Sequence, residues 1–366
     1  MILRNLPELA SLSGLRNLRT VQHLQLTQLP KLATVDGLDN LRTIPGTLQL
    51  HLLPLVPNLQ GLGQLLTIGT LTVTTLPLVA TFTGLHQATI GGLVVADMPA
   101  LTSLAGPTFG PTFGSLGLAR NPVLANLGGL SSVTAIDGSL HLEDNPAVSL
   151  SSLASLLTVG GNVRITGSTL TSVASLGIQR IDGDLDVFPS ALPQMSSFVL
   201  PALTFIGERL NRIDEGPSCG RTGAPLLVRL PALLRIEWKI GAGVANAVPL
   251  ACQIDLELPA LTFHGAAVDL SSDGLRDVTL GPVTTDVIKA FQSQTLRSLR
   301  FTGQFNIGAF MAIEDNPLLQ TLQGTGQVGG RLSVTGNASL SQAAAEAWAA
   351  GVSVGGNKII VGNKNP

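Results

Sequence analysis

The sequence predicts a mainly β chain wound as a parallel β-solenoid, with rungs of about 23 residues and a short helix capping its C-terminal end. Prolines stand at Pro7, Pro30, Pro54, Pro77, Pro99, Pro122 and Pro146, separated by 23, 24, 23, 22, 23 and 24 residues. Glycines keep the same time at Gly14, Gly37, Gly61, Gly84, Gly106 and Gly129, where a turn needs positive φ or close approach of backbone. Aliphatic pairs at period two mark one strand per rung, with both side chains pointing inward. A single rung cannot bury such a face. Stacked rungs share one continuous core, with parallel strands about 4.8 Å apart.

The strand pairs are Leu24/Leu26, Leu48/Leu50, Leu71/Val73, Leu93/Val95, Leu116/Leu118, Leu140/Leu142, Val163/Ile165 and Leu185/Val187. Another apolar column, Val21, Ile44, Ile68, Ile90, Phe113, Ile136, Val159 and Ile181, precedes each strand by three or four residues. Length variation therefore falls in that short link while the core columns stay in register. Residues 1–188 read as regular rungs. Over 189–304 the period lengthens, and the phrase L-P-A-L returns at Leu200–Leu203, Leu230–Leu233 and Leu258–Leu261, spaced 30 and 28 residues apart. No linker composition separates this stretch, so 1–366 reads as one solenoid whose middle rungs carry insertions.

Regular phrasing resumes over 305–366, with Met311–Pro317 and Leu332–Asn337. Ser341 as N-cap, an Ala-rich body and Gly351 as a stop predict a capping helix over 341–350, followed by a last strand. Trp348 is expected to plug the final rung. At the other end Met1 and Leu3 align with the strand columns, so a preceding domain, a removed leader or a partner chain would each cover that edge.

Composition excludes several functions. Charged residues make up 12%, against about 25% in ordinary globular chains, and there is no Tyr, which suits a long, narrow aliphatic core. Net charge is −2 and the basic residues are scattered, so no footprint for nucleic acid exists. No uninterrupted apolar run approaches roughly 18 residues, so no membrane-spanning helix is read. The N-terminus lacks the secretory pattern, leaving a cytoplasmic chain or a removed export signal. His23, His51, His86, His141 and His264 show no metal-ligand spacing, and no cofactor motif is present. Cys219 and Cys252, 33 residues apart, are readable as a disulfide in an oxidising compartment or as two buried thiols.

The phrases L-x-L-x-x-N-P-x-L at Leu116–Leu124 and L-x-L-x-x-N-P-x-V at Leu140–Val148 resemble the receptor L-domain family. The resemblance implies a right-handed, leucine-rich-repeat-like coil of the kind found in receptor ectodomains and bacterial secreted or surface proteins. It also implies a scaffold for recognition, with no catalytic residue to carry over. The family's asparagine column matches Asn121, Asn145, Asn316 and Asn337, where the side chain can bond turn backbone from rung to rung. In the first rungs that column reads Leu29, Leu53, Leu76 and Met98, which predicts an apolar stack instead.

The residues between the inward pairs point outward, and polar groups gather there at His141, Glu143, Arg164, Asp184 and Asp186. They read as a ligand-binding patch, as a solvated charge ladder, or as the acid/base cluster of a glycan lyase or hydrolase centred on Arg164, Asp184 and Asp186. The segment Glu208, Arg209, Arg212, Asp214, Glu215 and Arg221 holds the densest charge and reads as a binding face or a solvated loop. The expectation is a non-catalytic recognition or adhesion solenoid at a bacterial surface, meeting a protein or glycan. A purely structural spacer is the alternative, and the glycan-cleaving enzyme a third.

Overall fold

The computed structural model describes residues 1–146, 148–167, 169–212, 224–237, 239–242, 253–265, 267–271 and 274–364. The chain is a mainly β, parallel β-solenoid with turns of about 23 residues and, among the described residues, one short C-terminal helix. It divides into two compact units, Met1–Gly167 and Ser168–Pro366. No helix among the described residues is long and apolar enough to cross a membrane.

In the first unit the predicted strand columns stack rung upon rung. Leu24 pairs with Leu48, Leu48 with Leu71, Leu71 with Leu93, Leu93 with Leu116, Leu116 with Leu140 and Leu140 with Val163, all parallel. All seven are buried, each removal from water contributing about 1.5–3 kcal/mol. The face away from this sheet is built of single 3₁₀ turns such as Gln60–Leu62 and Thr83–Leu85. There the glycine column lets backbones touch. A Cβ on Gly61 would lie 2.5 Å from the Val35 carbonyl oxygen, and Gly106, at φ +137°, would bring one within 2.0 Å of the Phe82 oxygen.

One predicted column is reassigned. Ile90 pairs with Phe109, not Phe113, and Phe113 pairs with Ile136 in the next rung. The duplicated T-F-G phrase thus serves two levels: Phe109 ends one column step and Phe113 begins another, their rings edge-on at 5.5 Å.

Directly after seven main strands of the first unit the chain turns through a left-handed residue. Asn5, Gln28, Leu52, Thr75, Asp97, Arg120 and Asp144 all have φ between 46° and 58°. The amide of each donates to the carbonyl of the following rung's strand end, as from Gln28 to His51 (3.0 Å) and from Arg120 to Glu143 (2.8 Å). The next position is the asparagine column. Leu29, Leu53, Leu76 and Met98 fill it as a buried apolar stack, as the sequence predicts. Asn121 then takes over, its Nδ2 donating to Val95 O (3.1 Å) and Asn145 Oδ1 (2.9 Å).

The second unit repeats the main stack through Leu185, Leu210, Ile240, Val268, Ile288, Met311, Leu332 and Lys358. It also has what the sequence reading does not foresee, a second parallel sheet. Its column is Phe198, Val228, Leu256, Val278, Leu299 and Leu322, every member buried. The L-P-A-L phrases follow strands of this second sheet, and so occupy a different corner from the proline column of the first unit. The longer rungs of 189–304 thereby gain an extra strand per turn.

The predicted helix is Gln342–Ala350, with Ser341 Oγ accepting from Ala344 N at 3.1 Å. Trp348 is buried behind Phe305, ring centres 6.3 Å apart. Lys358, ending a core column, turns its ammonium to the helix C-terminus and donates to Ala349 O (2.7 Å) and Val352 O (3.0 Å), where negative partial charge gathers. The asparagine ladder here is continuous: Asn316 donates to Asn337 (3.0 Å) and Asn337 to Asn363 (3.0 Å). Gln342 Oε1 accepts from Asn363 and ends it. Asn337, formally a glycosylation sequon with Ser339, is wholly buried in this ladder.

Candidate recognition surfaces

His141, Glu143 and Arg164 belong to the first unit. His141 and Arg164 face outward from adjacent strands in direct register, and His141 Nε2 lies 3.3 Å from Glu143 Oε2. Sequence reasoning missed the partners that complete this group. Arg120 donates through Nε and Nη2 to both Asp97 oxygens (2.8 and 3.0 Å) and through Nη1 to Glu143 Oε1 (2.7 Å). Asp97, Arg120 and Glu143 are each 23 residues apart, so rung arithmetic could have found them.

The electrostatics follow from that geometry. The Arg120 hydrogen bond holds the Asp97 carboxyl below its usual range. Its hydrogen bonds to Asp97 and Glu143 in turn raise the Arg120 guanidinium. Desolvation, then the charge of Arg164, lowers the His141 imidazole, while Glu143 opposes the shift. Chemically this is a cross-rung ion chain ending in an imidazole biased toward neutrality.

Asp184 and Asp186 lie in the second unit, where the next rung engages them. Asp184 Oδ1 accepts from Arg209 N (2.9 Å), and Asp186 Oδ1 accepts from Asn211 Nδ2 (3.1 Å). Both carboxylates are half-buried and tie one rung to another. Glu208 is exposed and Arg209 half-buried at the start of the strand Arg209–Arg212. The Arg212 side chain and the residues Asp214, Glu215, Cys219, Arg221 and Cys252 lie outside the described residues. Among the described residues no three His, Cys, Asp or Glu side chains gather in metal-binding geometry.

A second surface of the first unit owes nothing to charge. The left-handed residues Asn5, Gln28, Leu52 and Thr75 and the prolines Pro7, Pro30, Pro54 and Pro77 line an open, mainly apolar groove of about 600 Å3. Leu55 and Leu78, each directly after its proline, stand about half exposed. In the sequence the proline column marks the repeat; only the fold brings its prolines together as one surface.

No protein-family model matches the chain, and no curated protein matches it. Among solved structures it is similar to the functional domain of InlJ from Listeria monocytogenes, a domain described as including a cysteine ladder. Identity is 14% and the TM-score 0.23, over 83% of this chain and 74% of that one. The solenoid is defined by this chain's own parallel strand registers.

Proposed function

We propose that this chain is a non-catalytic recognition solenoid that meets a protein partner through the proline-lined groove of its first unit. The groove itself carries the reading: four successive rungs present an open apolar surface, and Leu55 and Leu78, next in sequence to its Pro54 and Pro77, stand about half exposed. Concave apolar surfaces with a few polar groups are the usual form of a binding site, and proline rims lose little freedom on binding. The resemblance of the N-P-x-L phrases to the receptor L-domain family supports a recognition role and a bacterial-surface setting.

The test is binding of the whole chain to a panel of extracellular proteins and glycans, repeated with Leu55→Glu/Leu78→Glu. Loss of a protein interaction with unchanged circular dichroism is the expected result. Failure of every panel protein to bind would overturn the proposal, and polymer cleavage by the chain would replace it with the enzyme reading. The spacer alternative draws support from the uniformity of the first unit, where the same left-handed turn and hydrogen bond recur in rung after rung.

A further inference from the structure

The last rungs of the second unit hold a groove of different character, about 420 Å3 in volume and open to solvent. Its polar lining is Gln304, Asn306, Thr325, Gln327 and Ser353, all exposed, with buried Phe305 beneath. Asn306, Gln327 and Ser353 are in direct register on three consecutive strands. They therefore stand in a row at about 4.8 Å intervals. Gln327 Nε2 donates to Asn306 Oδ1 at 3.1 Å, which leaves the Asn306 amino group and the Gln327 carbonyl as a donor and an acceptor side by side. The row is held on strands, not loops, and Phe305 beneath it packs on Trp348, so the groups are set before a ligand arrives.

We infer that this groove is a subsite for a neutral oligosaccharide, with successive sugar residues laid along successive rungs. The lining excludes the alternatives. No ionisable group lines it, so a charged ligand would lose hydration with no opposite charge to meet it. An apolar segment would cover the amides and leave them unpaired. Sugar hydroxyls donate and accept at once, as these amides require. The inference rests on reading the chain as a recognition protein, but not on the groove of the first unit.

The experiment is calorimetric titration of the whole chain with cellohexaose, mannohexaose and N-acetylated chitohexaose, beside hexagalacturonate and a chitosan hexamer as charged arms. At least one neutral oligosaccharide is expected to bind and neither charged one to bind more tightly. Asn306→Ala and Gln327→Ala should each weaken that binding about tenfold without lowering the Tm, since both side chains are exposed. Leu55→Glu/Leu78→Glu should leave it unchanged. Absence of binding by all three neutral probes, tighter binding of a charged one, or indifference to both amide substitutions would overturn the inference. Sugar binding without any protein partner would instead sink the proposal for the first unit and leave this one standing.

Discussion

Arg120 clasps Asp97 across one rung with two parallel hydrogen bonds, of 2.8 and 3.0 Å. The bond lowers the Asp97 pKa in the folded state, so its contribution to stability is present above the ordinary value of 3.8 and is lost as pH falls through the depressed one. Both side chains are about half exposed, which limits that contribution to under about 1 kcal/mol. In urea unfolding near pH 6, Arg120→Ala should be slightly less stable than the parent chain. The difference should close at pH values well below the ordinary aspartate range.

His141 is lowered, first by desolvation and then by Arg164. A base with a lowered folded pKa favours folding above its ordinary value of 6.5, and that support declines as pH falls from there through the folded value. An NMR titration should place the His141 midpoint below the free-imidazole value. Arg164→Ala should move it upward; an unmoved midpoint would count against the electrostatic account.

Asn337 donates to Ile313 O, Thr335 O and Asn363 Oδ1, and accepts from Asn316 through its own Oδ1. Asn337→Ala strands several buried partners at once, each costing about 1–3 kcal/mol. Denaturant unfolding should show a loss of at least about 3 kcal/mol. A loss below about 1 kcal/mol would mean the ladder is ornamental.

Gly61 and Gly14 share a sequence column but not an environment. A Cβ at Gly61 meets the Val35 carbonyl at 2.5 Å, whereas one at Gly14 meets nothing within 4 Å. Gly61→Ala should destabilise by about 1–3 kcal/mol through overpacking. Gly14→Ala should be neutral, or stabilising by a few tenths of a kcal/mol through reduced unfolded-state entropy. Equal thermal shifts for the two variants would refute the close-approach explanation.

The stacking of Leu24 on Leu48, Leu71 and Leu93 was legible because side-chain alternation and a fixed rung length leave only one register that buries every pair. The second sheet was not. Its strands carry the same aliphatic alternation, and L-P-A-L looks alike at either corner of a coil, so Phe198 and Val228 gave no sign of a separate stack. Asn363 went unseen for a related reason: its neighbours Gly362 and Lys364 lack the N-P-x-L surroundings that mark Asn121 and Asn316. The Asp97 to Arg120 pairing was not legible from strand alternation, because these two residues sit just past the strands Thr89–Ala96 and Leu116–Ala119. The apolar groove was hidden in plain view, since periodic prolines read as punctuation until their faces are seen to adjoin.

The left-handed corner has a consequence for how such a surface can change over generations. Asn, Gln, Leu, Thr, Asp and Arg all occupy it in the first unit with nearly the same φ. The backbone bond to the following rung, rather than the chemistry of the side chain, holds the bend. Each of these coils therefore offers one address where identity is nearly free to drift, letter by letter, while the winding beneath stays as it was.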